Sequence, residues 1–438
     1  MKVVLINPPA DTAQVREGRC TQTKSFWGTA WSPISLAYCA GVLHNMGHET
    51  LIIDSAVENV SEKSLENDFQ NAKLAFVTIG NPTGQNDCAF AQWLKKKYPE
   101  MNVFLIGTYA MALAGDILKK HKNIDGIIMG EPEYTVRDIA NAINNNNSLE
   151  NINGLVIKNT DGKINYNSGR KFITNLDELP FPRWENIDTK KYRIPLVRKK
   201  LLLVAPMRGC PYGCSFCTTQ LYYGKCVRKR SVESVVAEIE RNVRDFNVRN
   251  FLMWAETFTI DKNFVLALCE AIQKSGLKIQ WSANSRVDTV DFEMLKAMRQ
   301  SGCKMISFGI ESFSQKVLDA CGKRSKVEQI EPAIIMARKA GLWTIGHFII
   351  GLPSETVESA KKTIENAKKL PLDFAQFYAA APFAGSRLWE ETNKQSKESS
   401  QGNFAGNLNP QILTILKNAK YNFYSSPQRF IGWLNHIL

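Results

Sequence analysis

The sequence has no long hydrophobic segment, and its apolar runs, such as Phe348–Leu352, are only as long as strands. A helix that crosses a membrane needs about 20 apolar residues in a row, so we expect no membrane span. The N-terminal apolar run Val3–Ile6 stops at Asn7-Pro8-Pro9, which is typical of a strand and a turn rather than of a signal peptide. We therefore expect a cytoplasmic protein.

The sequence also lacks the common signals of nucleotide and nucleic-acid binding. The first 145 residues contain neither GxGxxG nor GxxxxGK followed by Ser or Thr. Lys and Arg number 55 against 42 Asp and Glu, a formal net charge of +13 that would suit nucleic acid, anionic lipid or an anionic substrate. No compact Lys/Arg block stands out, so we interpret the excess as a solvated surface and expect no nucleic-acid partner.

Residues 1–145 alternate short apolar runs with helical patterns. This alternation predicts an α/β domain, a doubly wound, Rossmann-like parallel sheet with helices on both faces. The predicted strands are Val3–Ile6, Leu51–Ile53, Ala75–Ile79, Val103–Ile106 and Gly126–Met129. The predicted helices are Ile34–Met46, Asp87–Lys97, Met111–Lys120 and Glu133–Ile143.

A second alternation fills residues 198–390, after a predicted linker with a small hairpin over 146–197. Its predicted strands are Leu201–Ala205, Asn250–Trp254, Ile279–Asn284, Met305–Ile310, Thr344–Ile350 and Phe374–Ala380. Its predicted helices are Val232–Phe246, Asn263–Ser275, Phe292–Ser301, Val327–Ala340 and Val357–Leu370. Six units are fewer than the eight that close a TIM barrel, so we predict an open, partial (βα)6 barrel. A short helical tail is predicted over 391–438.

Three of the ten cysteines are clustered, directly after the first predicted barrel strand: Cys210, Cys214 and Cys217. Without a secretory leader, reduced thiols are expected rather than disulfides. Three thiolates can hold three irons of a four-iron cluster and leave the fourth iron open to a ligand. A zinc site would need a fourth ligand, for which only Cys226 is near, and a thioredoxin-like CxxC leaves Cys210 unexplained. The spacing therefore favours an iron–sulfur cluster.

The segment Cys210–Cys217 resembles the CxxxCxxC signature of the radical S-adenosylmethionine (SAM) superfamily, including Phe216 before the third cysteine. In that family, the amino and carboxylate groups of SAM chelate the open iron of a 4Fe–4S cluster. One electron from the cluster then breaks a sulfonium S–C bond and gives a 5′-deoxyadenosyl radical. The resemblance implies an enzyme with an electron donor such as flavodoxin or ferredoxin.

Later strand ends resemble the family's SAM-binding elements. Glu256 keeps the second of two acids that usually follow the second strand, and Ala255 replaces the first. Gly309-Ile310-Glu311-Ser312 resembles the GxES element, and Gly351 belongs to a segment like GxIxGxP. The resemblance implies these SAM contacts: Phe216, Glu256, Ser282, Asn284, Arg286, Glu311, Ser312 and Gly351. His347, on the fifth barrel strand, is a candidate substrate contact.

An α/β domain ahead of such a barrel resembles the cobalamin-binding subclass. There, small residues would let a flat macrocycle approach the backbone, threonines would bond its side chains, and Trp27 or Trp31 would cover a face. The implied contacts are Asn7, Pro8, Trp31, Thr78, Gly80, Gly107, Thr108, Gly130 and Glu131. The loop from Asn7 to Ser25 has no His to ligate cobalt, and this subclass usually lacks that ligand too.

The combination implies a cobalamin-dependent radical SAM enzyme, most readily a methyltransferase that acts on an unactivated carbon. A non-methylating cyclase or rearrangement enzyme would use the same domains. A tRNA methylthiotransferase would carry a second cysteine trio, for which Cys20, Cys39 and Cys88 are candidates without the expected neighbours. A non-catalytic cobalamin or redox sensor is a further alternative.

The basic, aromatic tail is expected to cap the barrel, since aromatic residues at helical spacing are more often core. Contact with a lipid surface, and hence a lipid or isoprenoid substrate, is the other option. The residues concerned are Lys420, Tyr421, Phe423, Tyr424, Arg429, Phe430 and Trp433.

Overall fold

The chain forms two compact units in a computed structural model. The structure describes residues 1–9, 14–17, 20–23, 30–55, 57–58, 65–159, 161–194, 197–395 and 410–425. The first unit comprises Met1–Leu203, Thr218–Gly224 and Phe383–Gly385. The second unit comprises Val204–Cys217, Lys225–Pro382 and Ser386–Leu438.

A sheet of seven strands, in the order β4-β1-β5-β6-β7-β8-β9, forms the centre of the first unit. The strands of this unit are β1 (Lys2–Asn7), β2 (Gln14–Glu17), β3 (Cys20–Thr23), β4 (Glu49–Asp54), β5 (Ala72–Thr78), β6 (Asn102–Ile106), β7 (Gly126–Ile128), β8 (Leu155–Lys158) and β9 (Ile164–Tyr166). β1 pairs in parallel with both β4 and β5, and the parallel pairing continues to β7. This order confirms the predicted doubly wound topology. β2 and β3 form a separate pair.

Helices flank this sheet because its central strands are apolar throughout, which requires cover on both faces. Val3–Ile6 of β1 is wholly inaccessible to solvent. The helices are α1 (Ile34–Asn45), α2 (Glu66–Phe69), α3 (Gly84–Lys97), α4 (Thr108–Ala112), α5 (Ala114–Lys120), α6 (Glu133–Asn144) and α7 (Thr219–Tyr223). The single helix predicted over Met111–Lys120 is therefore two helices that meet at Leu113.

The hairpin of β8 and β9 belongs to the sheet and not to a linker. β8 pairs antiparallel with β7, and β9 pairs antiparallel with β8. Leu155, Val156 and Ile157 are buried. They cover the backbone edge of β7, which would otherwise be unpaired. The predicted linker over 146–197 is corrected in this respect.

The second unit contains most of a six-stranded sheet in the order β10-β13-β14-β15-β16-β17, with parallel pairing from β13 to β17; β10 begins in the first unit. Its strands are β10 (Leu202–Val204), β11 (Met207–Arg208), β12 (Arg228–Lys229), β13 (Asn250–Met253), β14 (Gln280–Arg286), β15 (Cys303–Glu311), β16 (Trp343–Ile350) and β17 (Phe374–Ala379). In the described chain the edge strands β10 and β17 do not pair with each other. The sheet is open, as the count of six units predicted.

Helices alternate with these strands, and four of the helices begin at a residue whose side chain caps the first turn. They are α8 (Val232–Phe246), α9 (Lys262–Lys274), α10 (Phe292–Gln300), α11 (Gln315–Ala320), α12 (Ile330–Lys339), α13 (Val357–Lys369), α14 (Arg387–Gln395) and α15 (Pro410–Tyr424). Ser231, Asp261, Asp291 and Thr356 each accept a hydrogen bond from the first turn of a helix. Within the described ranges, no helix is both long enough and apolar enough to span a bilayer.

The two faces of β16 differ in burial. Phe348 is fully buried and packs between Phe313 and Phe377, on the face that the helices cover. His347 alternates with Phe348, so it lies on the inner face, where the strand is only half-buried. Phe423 of α15 packs against Phe377. The described part of the tail therefore covers the outer face of the sheet, which corrects the expectation that it caps the barrel; Arg429, Phe430 and Trp433 lie outside the described residues.

Candidate active site

The loop 209–217, which follows β11, carries the three clustered cysteines as free thiols. Cys210 and Cys214 are half-buried and Cys217 is exposed. The loop starts at Gly209, where φ is +94°, a conformation that favours glycine. The N–H of Gly209 donates to Glu256 Oε2 at 2.9 Å. One oxygen of Glu256, a predicted SAM contact, is thus used to position the loop.

These thiols fit an iron–sulfur cluster in their chemistry. Burial raises the pKa of Cys214 to about 11, with a further rise from Cys217 and an opposing effect of Lys323. Burial also raises the pKa of Cys210, and Cys217 adds to this rise, so Cys217 lies within electrostatic reach of both other thiols. Among the described residues, no three His, Cys, Asp or Glu side chains already stand in a metal-binding arrangement. A cluster that draws three thiolates of one short loop together on binding fits this site.

Phe216 joins the loop to the core of the second unit. Its ring packs with Ile349 against a buried apolar group, Val317, Cys321, Leu352 and Ala380. The neighbouring Ser215 donates its N–H to the Cys321 carbonyl at 2.8 Å and accepts from the Leu388 N–H at 2.8 Å. The aromatic residue before the third cysteine therefore seats the loop, whatever contact it makes with SAM.

Ser282 and Asn284 are the predicted SAM contacts that remain available for a ligand. Both are half-buried and alternate with the fully buried Ala283, so both lie on the inner face of β14. Neither side chain has a hydrogen-bond partner among the described residues. Polar side chains that are partly sheltered and unpaired suit the ribose or the amino-acid end of SAM.

The side chains of Ser312 and Arg286 form hydrogen bonds with other groups of the protein. Ser312 is wholly inaccessible; its hydroxyl lies 3.2 Å from Thr363 Oγ1 and accepts from the Ser314 N–H at 3.1 Å. The contact of Ser312 with SAM stays a prediction, and its hydroxyl is bonded within the protein. Arg286 is 4% exposed and binds Asp288 and the Lys323 carbonyl.

Glu311 forms a buried ion pair with Lys323, at 2.7 Å between Oε1 and Nζ. A Cβ atom at Gly309 would lie 2.7 Å from the same Oε1 and 2.9 Å from the same Nζ. The pair therefore needs glycine at the first position of the GxES-like element. No motif in the sequence points to Lys323, which follows α11 in a polar loop and contacts Glu311 only in the folded chain.

His347 lies on the inner face beside Tyr378. Its Nδ1 is 3.1 Å from the Tyr378 hydroxyl, and the two rings are nearly parallel, at 13°. Burial lowers the pKa of His347, with a rise from Glu311 and a further fall from Lys323. The imidazole is therefore neutral near pH 7 and suits a hydrogen bond to an uncharged polar group.

The carboxyl ends of β1, β4 and β5 share a polar network in the first unit. Asn7 donates to Asp54 Oδ1 at 3.2 Å, and Tyr192 donates to Asp54 Oδ2 at 2.7 Å. Thr78 forms a short hydrogen bond to Asn7 Oδ1. The sheet order reverses between β1 and β5, the point at which such folds bind ligands. Asn7 and Thr78, predicted to touch cobalamin, thus bond each other at this point.

Two further predicted contacts have partners inside the first unit. Gly107, with φ of +122°, has no room for a side chain because a Cβ atom would lie 2.5 Å from the Ile79 carbonyl oxygen. Thr108 accepts from Asn81 at 3.0 Å. Gly107 therefore allows close packing against Ile79, and its contact with cobalamin stays a prediction.

Gly130 keeps open space at the same edge. It has φ of +75°, and the nearest atom to a Cβ there would be Phe172 Cε1, at 4.0 Å. Glu131 is buried and accepts from the Ile173 N–H at 2.7 Å. Trp31 and Gly80 are half-buried, and Pro8 is buried. Trp27 lies outside the described residues. The open glycine and the reversal of strand order fit a large flat ligand.

Comparison with known proteins agrees with this geometry. Residues 204–367 match the Radical SAM superfamily. An uncharacterized methyltransferase of Pyrococcus horikoshii is 33% identical over 392 residues, which cover 89% of this chain and 83% of the relative. An anaerobic magnesium-protoporphyrin IX monomethyl ester cyclase of Rubrivivax gelatinosus is 28% identical, over 82% of this chain and 66% of the cyclase.

The fold matches a solved structure of a radical SAM methyltransferase from Kitasatospora setae, with cobalamin and a 4Fe–4S cluster bound. The TM-score is 0.71 at 16% identity, over 90% of this chain and 75% of the other. The identity to the Pyrococcus relative extends over most of both chains, and the matched segment contains the cysteine loop and the strand ends described above. The chain therefore belongs to the radical SAM superfamily of enzymes.

Proposed function

We propose that this protein is a cobalamin-dependent radical SAM methyltransferase that acts on an unactivated carbon. The observation that carries the proposal is the loop of three free thiols in contact with β14 through Tyr212 and Arg286, on the strand that carries the unpaired Ser282 and Asn284. The name of the Pyrococcus relative supports methyl transfer, and the Kitasatospora structure shows that this fold can hold both cofactors. When bound, the cluster would supply the electron that cleaves SAM, and cobalamin would carry the methyl group.

The residues of the second unit would divide the work at the SAM site. Cys210, Cys214 and Cys217 would ligate three irons, on a loop that Glu256 holds through Gly209. Ser282 and Asn284 would form hydrogen bonds with SAM. His347, neutral and oriented by Tyr378, would bind a polar group of the substrate. These roles agree with the burial and the partners of each side chain.

In the first unit, cobalamin would lie at the carboxyl edge of the sheet. Gly80 and Gly130 would line its face, since both are half-buried, whereas Pro8 is buried. Asn7 and Thr78 would act indirectly, by fixing the ends of β1 and β5. No described histidine lies at this edge; His44 and His121 lie at the C-terminal ends of α1 and α5. The described part of the first unit therefore offers no imidazole at this edge.

The test is anaerobic reconstitution of the cluster, followed by SAM and a strong reductant, with and without hydroxocobalamin. We expect 5′-deoxyadenosine by mass spectrometry and cobalamin that stays with the protein through gel filtration. Cys214→Ala should abolish the product, and Cys269→Ala, a buried thiol of α9, should not. A flavodoxin or ferredoxin should replace the chemical reductant. An intact cluster that yields no 5′-deoxyadenosine would overturn the proposal.

A non-methylating cyclase is the second candidate, because the Rubrivivax relative carries that name. SAM with a deuterated methyl group separates the two, since only a methyltransferase puts the label into its product. A methylthiotransferase has less support. Cys39 and Cys88 are both buried, in α1 and α3, so neither presents a thiol for a second cluster, and the side chain of Cys20 lies outside the description.

A further inference from the structure

Arg286 is the last residue of β14. Its guanidinium forms hydrogen bonds with two protein groups, the Asp288 carboxylate and the Lys323 carbonyl. Nε and Nη2 donate to the two carboxylate oxygens of Asp288, at 2.8 and 2.7 Å. Nη2 also donates to the Lys323 carbonyl, at 2.6 Å. Only 4% of the residue is exposed, so little of the guanidinium is accessible to a SAM carboxylate.

The flat face of the same guanidinium lies on the cluster loop. Its Cζ is 3.6 Å from the centre of the Tyr212 ring, a close cation–π contact. Tyr212 stands midway between Cys210 and Cys214, so the contact fixes the part of the loop that sets the spacing of these two thiols. Tyr212 is half-buried, and it covers Arg286 in turn.

The turn at Lys323, whose carbonyl accepts the third hydrogen bond of Arg286, also contacts the cluster loop. The Cys321 carbonyl accepts from Ser215 N–H at 2.8 Å. Gly322, with φ of +69°, lies so close that a Cβ atom would be 3.1 Å from the Gly213 carbonyl oxygen. Arg286 therefore holds the loop directly through Tyr212 and indirectly through the turn at Lys323.

We infer that Arg286 is a positioning residue of the cluster loop, and not a ligand of SAM. A guanidinium can make all three contacts at once: two hydrogen bonds to the Asp288 carboxylate, one to the Lys323 carbonyl, and stacking of its planar face on the Tyr212 ring. Lysine would keep the charge and lose the fork and the stacking. The inference rests on the proposed function in that the loop is taken to hold a cluster.

Three variants test the inference: Arg286→Lys, Tyr212→Leu and, as the matched control, Tyr212→Phe, which keeps the ring. The first readout is hydrogen–deuterium exchange of residues 209–217 in cluster-free protein. We expect Arg286→Lys and Tyr212→Leu to speed exchange there several-fold, and Tyr212→Phe, which keeps the stacked ring and loses only the hydroxyl, to speed it much less. Tyr212 is half-buried on a loop, so Tyr212→Leu still reports on the contact if Arg286→Lys does not fold. Wild-type exchange in both would overturn the inference.

The second readout uses the reconstituted protein. We expect both variants to release iron to a chelator several-fold faster than wild type, while the clusters that remain still change their EPR spectrum when SAM is added. Arg286→Lys that holds its iron but loses the response to SAM would show a SAM ligand and overturn the inference. Exchange needs no cluster, so a wild-type protein that takes up no iron would count against the proposed function alone.

Discussion

The carboxyl group of Glu355 is the clearest pH-sensitive feature at the scale of a single residue. One of its oxygens accepts from the Gly351 N–H in the turn after β16, and Oε1 is buried without a partner. Burial raises the pKa of Glu355 from 4.5 to about 7. A proton on Oε1 would explain why the folded protein tolerates this burial.

This raised pKa predicts a loss of stability with increasing pH. Because the folded state binds the proton more tightly than the unfolded state, the contribution of Glu355 is fully present below its unfolded pKa of 4.5 and is lost as pH rises through about 7. The loss amounts to at most about 3 kcal/mol. We predict that the difference in free energy of unfolding between wild type and Glu355→Gln falls from pH 5 to pH 8 in urea titrations. Glu358→Gln, on the exposed side of α13, is the control, and parallel pH profiles for all three proteins would contradict the prediction.

Residue roles were harder to predict from the sequence than residue positions. The cysteine spacing marks the cluster loop because its signal is local. Arg286 was assigned to SAM because its partners, Asp288 apart, come from distant segments, with the Lys323 carbonyl 37 residues away. Ser312 likewise bonds Thr363, which is 51 residues away. Whether a polar side chain is free for a ligand depends on such partners, and periodicity does not reveal them.

At the scale of elements, patterns with local end signals were predicted closely. α8 spans Val232–Phe246, as predicted, because Ser231 caps its start and the left-handed Asn247 ends it. The break at Leu113 was missed because the apolar period continues through it. The sequence predicts the hairpin of β8 and β9 and, separately, the strand β7. Their pairing was not predicted, because the pairing of two strands leaves no pattern in the sequence of either strand.

Helix α15 protects the open edge of the second sheet. The Tyr424 hydroxyl accepts from the Ala375 N–H at 3.1 Å and donates to the Ala375 carbonyl at 3.0 Å. Ala375 belongs to the edge strand β17, so one side chain satisfies two backbone groups that no neighbouring strand pairs. Such a cover prevents an edge strand from pairing with other molecules.

We predict that Tyr424→Phe lowers the free energy of unfolding by about 1–2 kcal/mol, because it leaves a buried donor and acceptor without partners. Self-association should rise as well, measured by light scattering during gel filtration at increasing concentration. Tyr421→Phe is the matched control, since Tyr421 is 75% exposed on the same helix. Equal effects of the two substitutions would show that the edge is not protected in this way.

At the scale of the whole molecule, the two units are not consecutive in the chain. The predicted boundaries, 1–145 and 198–390, follow the alternation of strands and helices. In the structure, residues 218–224 and 383–385 also belong to the first unit. Tyr222 and Tyr223 of α7 are buried with Met111, and Met129 packs against them. Segments of three to seven residues carry no period of their own, so the sequence could not assign them.

Because the first unit includes residues 218–224, the stability of a fragment of this unit should depend on where the chain is truncated. A fragment of residues 1–203 keeps every strand of the first sheet but loses α7, so the surface around Met111 and Met129 would be exposed. We predict that it binds a hydrophobic dye and melts at a lower temperature than a fragment of residues 1–224, which keeps α7 at the cost of an extra loop. Tyr222→Ser within the longer fragment should remove most of the difference, because the buried ring, rather than the length, supplies the stability. Equal melting of the two fragments would mean that the first sheet is stable without α7.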